Sequence, residues 1–233
     1  MNAPFSMADL AAGPFDAPRQ VLNVGCGPAH PGKLHPAFRG LGWREVRLDI
    51  EPLVQPDIVA SIVNMRGAVA DASFDALWSS HNLEHLHAHD VPRAMAEFAR
   101  VLRPDGFALV TCPDVEAVAR FILDHGIDEV AYCSAAGPVT PIDMLWGHGA
   151  SIEAGFGFMA HRTGFTLASL ARQVLAGGFA EVRMSRSRYA LWALCLMPGC
   201  RLDALRADFA ETEQAELLGP EEEEEGGVGF GPA

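Results

Sequence analysis

Lysine is almost missing from this chain of 233 residues: Lys33 stands alone beside 16 arginines. Acids outnumber bases by 30 to 17, a formal net charge of −13. No basic cluster follows from these numbers, which excludes a protein whose first task is to coat nucleic acid phosphates. Long apolar runs are missing as well. The longest, Tyr189 to Pro198, falls far short of the roughly 20 residues that a membrane-spanning helix needs. The opening stretch MNAPFSMADLAAGPFDAPRQ has neither a basic n-region nor an apolar h-region, so no secretory signal is expected. Cysteine is sparse and unpaired in pattern. Cys26, Cys112, Cys133, Cys195 and Cys200 are odd in number, scattered, and form no CxxC. That excludes a disulfide framework and implies reduced thiols in a cytoplasmic protein.

What the chain does have is enough apolar material, 49 % of residues, to bury a core without covalent staples. Its acidity is local. Residues 1–206 hold all 17 basic residues and 21 of the acids, a net of −4. The other nine acids follow Arg206, including the run Glu221 to Glu225. The end GPEEEEEGGVGFGPA is too polar to offset its ordering entropy, and its glutamates repel one another. The expected organisation is an irregular segment over 1–19, one domain over 20–200, and an acidic disordered tail over 201–233.

Apolar runs mark the strands. QVLNV (20–24) stops at Gly25-Cys26-Gly27-Pro28, as a buried parallel strand feeding a tight turn would. REVRLDI (44–50), DIVASI (57–62), FDALWS (74–79) and FALVT (107–111) follow. A helix is predicted from Asp90 as N-cap, with Pro92 in its first turn and Val91, Met95, Phe98, Val101 and Leu102 on one face. Arg93, Glu97, Arg100 and Arg103 lie off that face, and Arg103-Pro104-Asp105-Gly106 reads as a turn. Another helix runs from Asp114 to about His125. Residues 126–165 lose the rhythm and are rich in glycine and aromatics, which suggests a lid or binding loop. A helix near Thr166 to Leu175, then FAEVRMS (179–185) and YALWALCLM (189–197), complete the chain. Strands alternating with helices predict an α/β fold: a Rossmann-like, seven-stranded, mostly parallel sheet with helices on both faces and an antiparallel C-terminal hairpin. Ligands of such sheets sit at the carboxyl ends of the strands.

Three readings compete for VLNVGCGPAHPGKL. A dinucleotide fingerprint GxGxxG fails at its third glycine, where His30 stands. A P-loop, GxxxxGK[ST], fits Gly27, Gly32 and Lys33 but has Leu34 in place of the hydroxyl. Pro28 and Pro31 also remove N–H donors that a phosphate cradle needs. The third reading needs only a glycine turn after strand one and an acid after strand two. Asp49, 24 residues beyond Gly25, suits ribose hydroxyls. S-adenosylmethionine is such a ligand: a ribose with no phosphate.

VLNVGCGP (21–28), VRLDIEP (46–52), PDIVASI (56–62), SFDALWSSHNLEHLH (73–87) and FARVLRPDGFALVTCPD (98–114) together resemble the class I S-adenosylmethionine-dependent methyltransferases, especially a small bacterial methyltransferase-domain group. HRTGFTLASLARQVLAGGFAEV (161–182) is similar to a late helix and strand of one subgroup. The resemblance implies that Asn23, Gly25, Cys26 and Gly27 surround the methionine part of the cofactor. It implies that Asp49 holds the ribose, that Ile50, Ser61 and Ile62 flank the adenine, and that Ser80 and His81 face the transferable methyl. Ser61 departs from the acid that many relatives carry. The first helix is cut short by Pro31, Gly32 and Pro36.

Methyl transfer is an in-line displacement, and a general base is needed only for a protonated nucleophile. The (D/N)PP(Y/F) motif of amide and adenine methylases is absent, since Ser79-Ser80-His81-Asn82 stands in its place. His81 and His161 are the candidate catalytic groups. Trp146, His148 and Arg162 are candidate substrate contacts in the glycine-rich insertion. His81, His85, His87 and His89 crowd nine residues, but at a strand–helix junction they are expected to diverge, so no metal is assigned. The expected activity is methylation of a small-molecule or glycan-linked acceptor, with no nucleic acid partner. A non-catalytic module of the same fold and a degenerate P-loop protein are the alternatives.

Overall fold

The computed structural model describes residues 18–134 and 137–220. Seven strands form one sheet: β1 (Arg19–Val24), β2 (Trp43–Asp49), β3 (Ile58–Val59), β4 (Phe74–Ser80), β5 (Leu102–Pro113), β8 (Glu181–Ser187) and β9 (Ala190–Leu196). Their spatial order is β3-β2-β1-β4-β5-β9-β8. The first five are parallel, and β9 and β8 close the sheet antiparallel. The chain order therefore reverses between β1 and β4, the place where such sheets open a crevice for ligands. This is the architecture expected from the sequence. Two boundaries differ. β3 is only two residues long, and β5 begins at Leu102, so Arg103 to Gly106 are strand rather than turn.

One face of the sheet carries Leu22, Val24, Leu48, Leu77, Ala108 and Val110. Helix α1 (Val91–Val101) buries Met95 and Phe98 against it, and α5 (Leu167–Ala176) adds Leu170 and Val174. Pro92 sits in the first turn of α1 as expected. Asp90 does not cap that helix with its side chain; it pairs with Arg93 at 3.0 Å. Glu97 is buried rather than solvated. It accepts from the Met65 backbone N–H at 2.6 Å and pairs with Arg100 at 2.7 Å, because the loop before β4 folds over this flank. Helix α2 (Val115–His125) starts at Asp114, whose carboxylate accepts from Glu116 N–H.

The opposite face carries Val21, Ala76, Trp78, Phe107, Leu109, Leu194 and Leu196. After β1 only one 3-10 turn, Pro36–Phe38, forms before β2. Prolines and glycines across 28–42 cannot sustain a helix. The apolar face left open is filled from the far end of the chain. Residues 202–218, a 3-10 turn, the short helix α6 (Arg206–Phe209) and another 3-10 turn, bury Leu205, Phe209, Leu217 and Leu218 there. His35 is part of the same joint, within hydrogen-bond distance of Gln214 (2.8 Å) and ringed by Phe38, Trp78, Trp192 and Phe209. The tail expected from residue 201 is thus corrected: apolar residues at 205, 209, 217 and 218 dock the segment through 218. The run 221–225 and the expected irregular segment up to residue 17 lie outside the described residues.

The arrhythmic insertion consists of small elements: β6 (Tyr132–Ser134) paired with β7 (Gly137–Val139), α3 (Pro141–Trp146) and α4 (Gly149–Glu153). Val139 and Met144 pack on Val118 of α2, so the insertion sits beyond the carboxyl end of β5. Among the described residues no helix is long and apolar enough to cross a membrane.

Candidate active site

β1 ends in a turn where Gly25 (φ 63°) and Gly27 (φ 58°) both adopt the left-handed region. A Cβ on Gly25 would lie 2.6 Å from Cγ of Asn82, so the glycine also admits a neighbour. Asp49, buried at the end of β2, accepts from Gly27 N–H (2.8 Å) through one carboxylate oxygen and from Glu51 N–H (2.9 Å) through the other. Each oxygen keeps a second lone pair for another donor. Arg47 donates to the carbonyls of Gly27 (2.5 Å) and Gln55 (2.9 Å), tying the glycine turn to the loop after β2. Lys33, the lone lysine, brings its ammonium against Gly27. Sequence reasoning missed Arg47 and assigned Lys33 no part here. A basic residue two positions before the acid, on a strand between two others, is the signal for Arg47.

The other cofactor candidates divide. Ile50 is half exposed at the end of β2, and Ser80 ends β4. Ser61 lies in the turn after β3 and accepts weakly from Val63 N–H (3.4 Å). Ile62 is buried in the core cluster that holds Met65 and Val69. Asn23 is buried and donates to Glu45 (2.6 Å), so its amide serves the β1–β2 pair. Cys26 is buried, and burial pushes its thiol up against the opposing pull of Arg47. It lines the turn through backbone alone.

Beyond β4 the chain turns sharply at His81, whose φ of 47° is unusual for a side chain of this size. Its N–H donates to Thr111 O (2.9 Å). A 3-10 turn, Leu83–His85, follows. Glu84 is 1 % exposed, and its Oε1 lies 3.2 Å from Nδ1 of His81. Desolvation works against the imidazolium of His81, but the bond and charge of Glu84 outweigh it and raise the pKa. Burial likewise resists ionisation of Glu84, yet His81 and His85 hold its pKa below the usual carboxylate range. The Glu84 carbonyl accepts from Arg162 N–H (2.7 Å) and Thr163 N–H (3.2 Å), which pins the end of the insertion to this turn.

That clamp brings His161 to His85, ring centroids 5.0 Å apart. Nδ1 of His85 lies 3.3 Å from Ala160 O, and Nδ1 of His161 lies 2.9 Å from Met144 O. The pKa of His161 is lowered, mainly by burial. His87 and His89 stack on each other at the surface, centroids 5.5 Å apart. The four histidines of 81–89 fall into two pairs rather than diverging singly: His81 and His85 line one cleft, and His87 and His89 stack at the surface. One of them instead meets a fifth, His161, from 76 residues on, beside a glutamate that the sequence reading left out of account.

A cleft of about 500 Å³ opens over these groups. His81, Glu84, His85, His148 and His161 line it, with Tyr132 and Tyr189. These are the chain's two tyrosines, stacked with centroids 6.0 Å apart. His81, His148 and His161 are therefore brought together. Trp146 and Arg162 are not. Trp146 is 55 % exposed outside the cleft, and the Arg162 guanidinium reaches toward His87 (3.5 Å). The aromatic wall comes from the two tyrosines instead, because the β6–β7 hairpin and the start of β9 face each other across the cleft.

Residues 22–110 match the family model described as a methyltransferase domain. Solved structures of similar fold include a SAM-dependent methyltransferase from Archaeoglobus fulgidus, with a TM-score of 0.51 and 12 % identity over 78 % of this chain and 87 % of that one. A Haloferax volcanii methyltransferase complexed with a methyltransferase activator gives 0.51 and 14 % over 82 % and 88 %. The Burkholderia thailandensis 1,6-didemethyltoxoflavin-N1-methyltransferase, with its substrate and S-adenosylhomocysteine bound, gives 0.46 and 18 % over 77 % and 71 %. At such identities the likeness is one of fold.

Proposed function

We propose that this chain, which carries the fold and family signature of the class I S-adenosylmethionine-dependent methyltransferases, methylates a hydroxyl of a small-molecule or glycan-linked acceptor held in the histidine-lined cleft. One observation carries the reading. A glycine turn braced by a buried acid, and a cleft holding an imidazole oriented by a buried carboxylate, stand side by side at the carboxyl ends of β1, β2 and β4.

The residues present fit S-adenosylmethionine. Asp49 keeps a lone pair on each oxygen for the two ribose hydroxyls, and Ile50 offers an apolar edge for adenine. The Asn82 side-chain nitrogen, against Gly25, has no partner among the described residues, as a group awaiting an acceptor would. When bound, the cofactor supplies an electrophilic methyl on a sulfonium whose thioether leaves with the bonding pair. His81 takes the proton of the acceptor hydroxyl through the ring nitrogen not engaged by Glu84. Glu84 fixes the ring and balances the charge it gains. Tyr132, Tyr189 and Met144 supply apolar walls that exclude water.

Calorimetric titration with S-adenosylhomocysteine tests the first half, with micromolar binding expected. Transfer of labelled methyl to hydroxylated acceptors tests the second. Binding without transfer to any acceptor favours a non-catalytic module; no binding at millimolar ligand overturns the reading.

A further inference from the structure

We infer that Glu84, His85 and His161 form a binding site for a divalent transition cation of the zinc class, at the floor of the acceptor cleft. One potential ligand atom from each lies within 4.8 Å of the other two. Three protein ligands around zinc, each at about 2.0–2.2 Å, sit somewhat closer together than that. Side-chain rotation that draws the three atoms together would close the set.

Three independent features favour a cation over an ordinary packed cluster. Both imidazoles face a backbone carbonyl with Nδ1, His85 toward Ala160 and His161 toward Met144. A proton on Nδ1 fixes the tautomer and leaves the Nε2 lone pair free, as metal-bound histidines require. The second feature is the carboxylate. Oε1 of Glu84 meets His81, but Oε2 is buried and has no hydrogen-bond partner among the described residues. An unpartnered oxygen on a carboxylate 1 % exposed is costly unless a positive charge lies beside it. The third is the scaffold. The Glu84 carbonyl is clamped by the N–H groups of Arg162 and Thr163, so the segment bearing His161 is fastened to the turn bearing the other two ligands.

The donor set itself indicates the ion. Two imidazole nitrogens and one carboxylate oxygen suit zinc, cobalt or iron rather than magnesium or calcium, which favour oxygen alone. Three protein ligands leave a coordination position free, the mark of a reactive rather than a structural site. All three residues line the cleft, so the free position would take an oxygen of the acceptor, either a hydroxyl or one of an adjacent pair. This last step rests on the proposed methyl transfer; the ion site does not.

The test is calorimetric titration of chelator-treated full-length protein with Zn²⁺, with Co²⁺ absorption as a second readout. One equivalent is expected at micromolar affinity or tighter, with visible cobalt bands of low-symmetry coordination. His161→Ala and Glu84→Gln should each weaken Zn²⁺ at least tenfold, and His85→Gln should do the same if an alanine there fails to fold. The double variant His87→Ala/His89→Ala should bind as the parent does. Absence of stoichiometric binding overturns the inference, as does binding indifferent to His161 and Glu84 or lost in the His87/His89 variant. S-adenosylhomocysteine is titrated in parallel. Zinc bound without it leaves the ion site standing and the methyl-transfer reading fallen; the reverse result does the opposite.

Discussion

The N–H of Gly27 lies 2.8 Å from Oδ2 of Asp49, so the acid that ends β2 braces the turn that ends β1. The group proposed to hold the ribose thus also shapes the glycine turn beside it. Asp49→Ala removes both contributions. Loss of two charge-assisted hydrogen bonds, about 3 kcal/mol, weakens S-adenosylhomocysteine on the order of a hundredfold. Calorimetry checks this, with circular dichroism confirming that the sheet persists.

Gly25→Ala strikes the same turn by a different route. Its left-handed φ disfavours any Cβ, and the new atom would meet the Asn82 side chain. A destabilisation of about 1–2 kcal/mol is expected in urea denaturation. Adding Asn82→Ala should recover the part due to collision and leave the part due to φ.

His81→Asn separates chemistry from scaffold, because asparagine tolerates the left-handed backbone that His81 occupies. Turnover should fall on the order of a hundredfold, the usual share of a general base, while S-adenosylhomocysteine binding stays within about twofold. A matching loss of cofactor affinity would show that His81 holds ligand instead.

Phe209→Ala probes the segment that replaces the missing first helix. Phe209 is fully buried beside Phe107 and His35. Truncation should cost about 3 kcal/mol and lower the melting temperature by roughly 10 °C. A change under about 0.5 kcal/mol would mean that the segment does not support the sheet.

His35 gives the same joint a pH dependence. Burial lowers its pKa, against the raising effect of its contact with Gln214. The unfolded chain therefore binds the proton more readily. Stability drops as pH falls below about 6.5, by at most about 1.4 kcal/mol per pH unit, until the folded pKa is reached. Denaturation at about pH 7.5 and about pH 5.5 should show this slope in the parent and a flatter one in His35→Phe.

The strands and the mostly parallel sense of the sheet were readable because a parallel sheet, covered on both sides, leaves apolar runs such as QVLNV and FALVT in plain view. Asp49 and the glycine turn were readable because spacing alone fixes them at neighbouring strand ends. Glu84 was not, since a glutamate in a short turn looks solvated until the insertion folds over it. His161 was singled out without its partner, because 76 residues separate it from His85 and no periodicity spans that gap. Trp146 was chosen for its place in the glycine-rich insertion, but the cleft wall is set by β6–β7 pairing, which brings Tyr132 to Tyr189. The docked segment 202–218 was hidden by its neighbours: its apolar residues are interleaved with acids, and the glutamate run that follows dominates any windowed reading.

Because Phe38, Trp78 and Phe107 are covered by residues 205–218, the growing polypeptide exposes that face of the sheet until those residues have left the ribosome. The strands can pair earlier, but one side stays sticky during synthesis. A nascent chain stalled between Leu196 and Leu205 would be an aggregation-prone, chaperone-dependent species even though the seven strands of the sheet had been made.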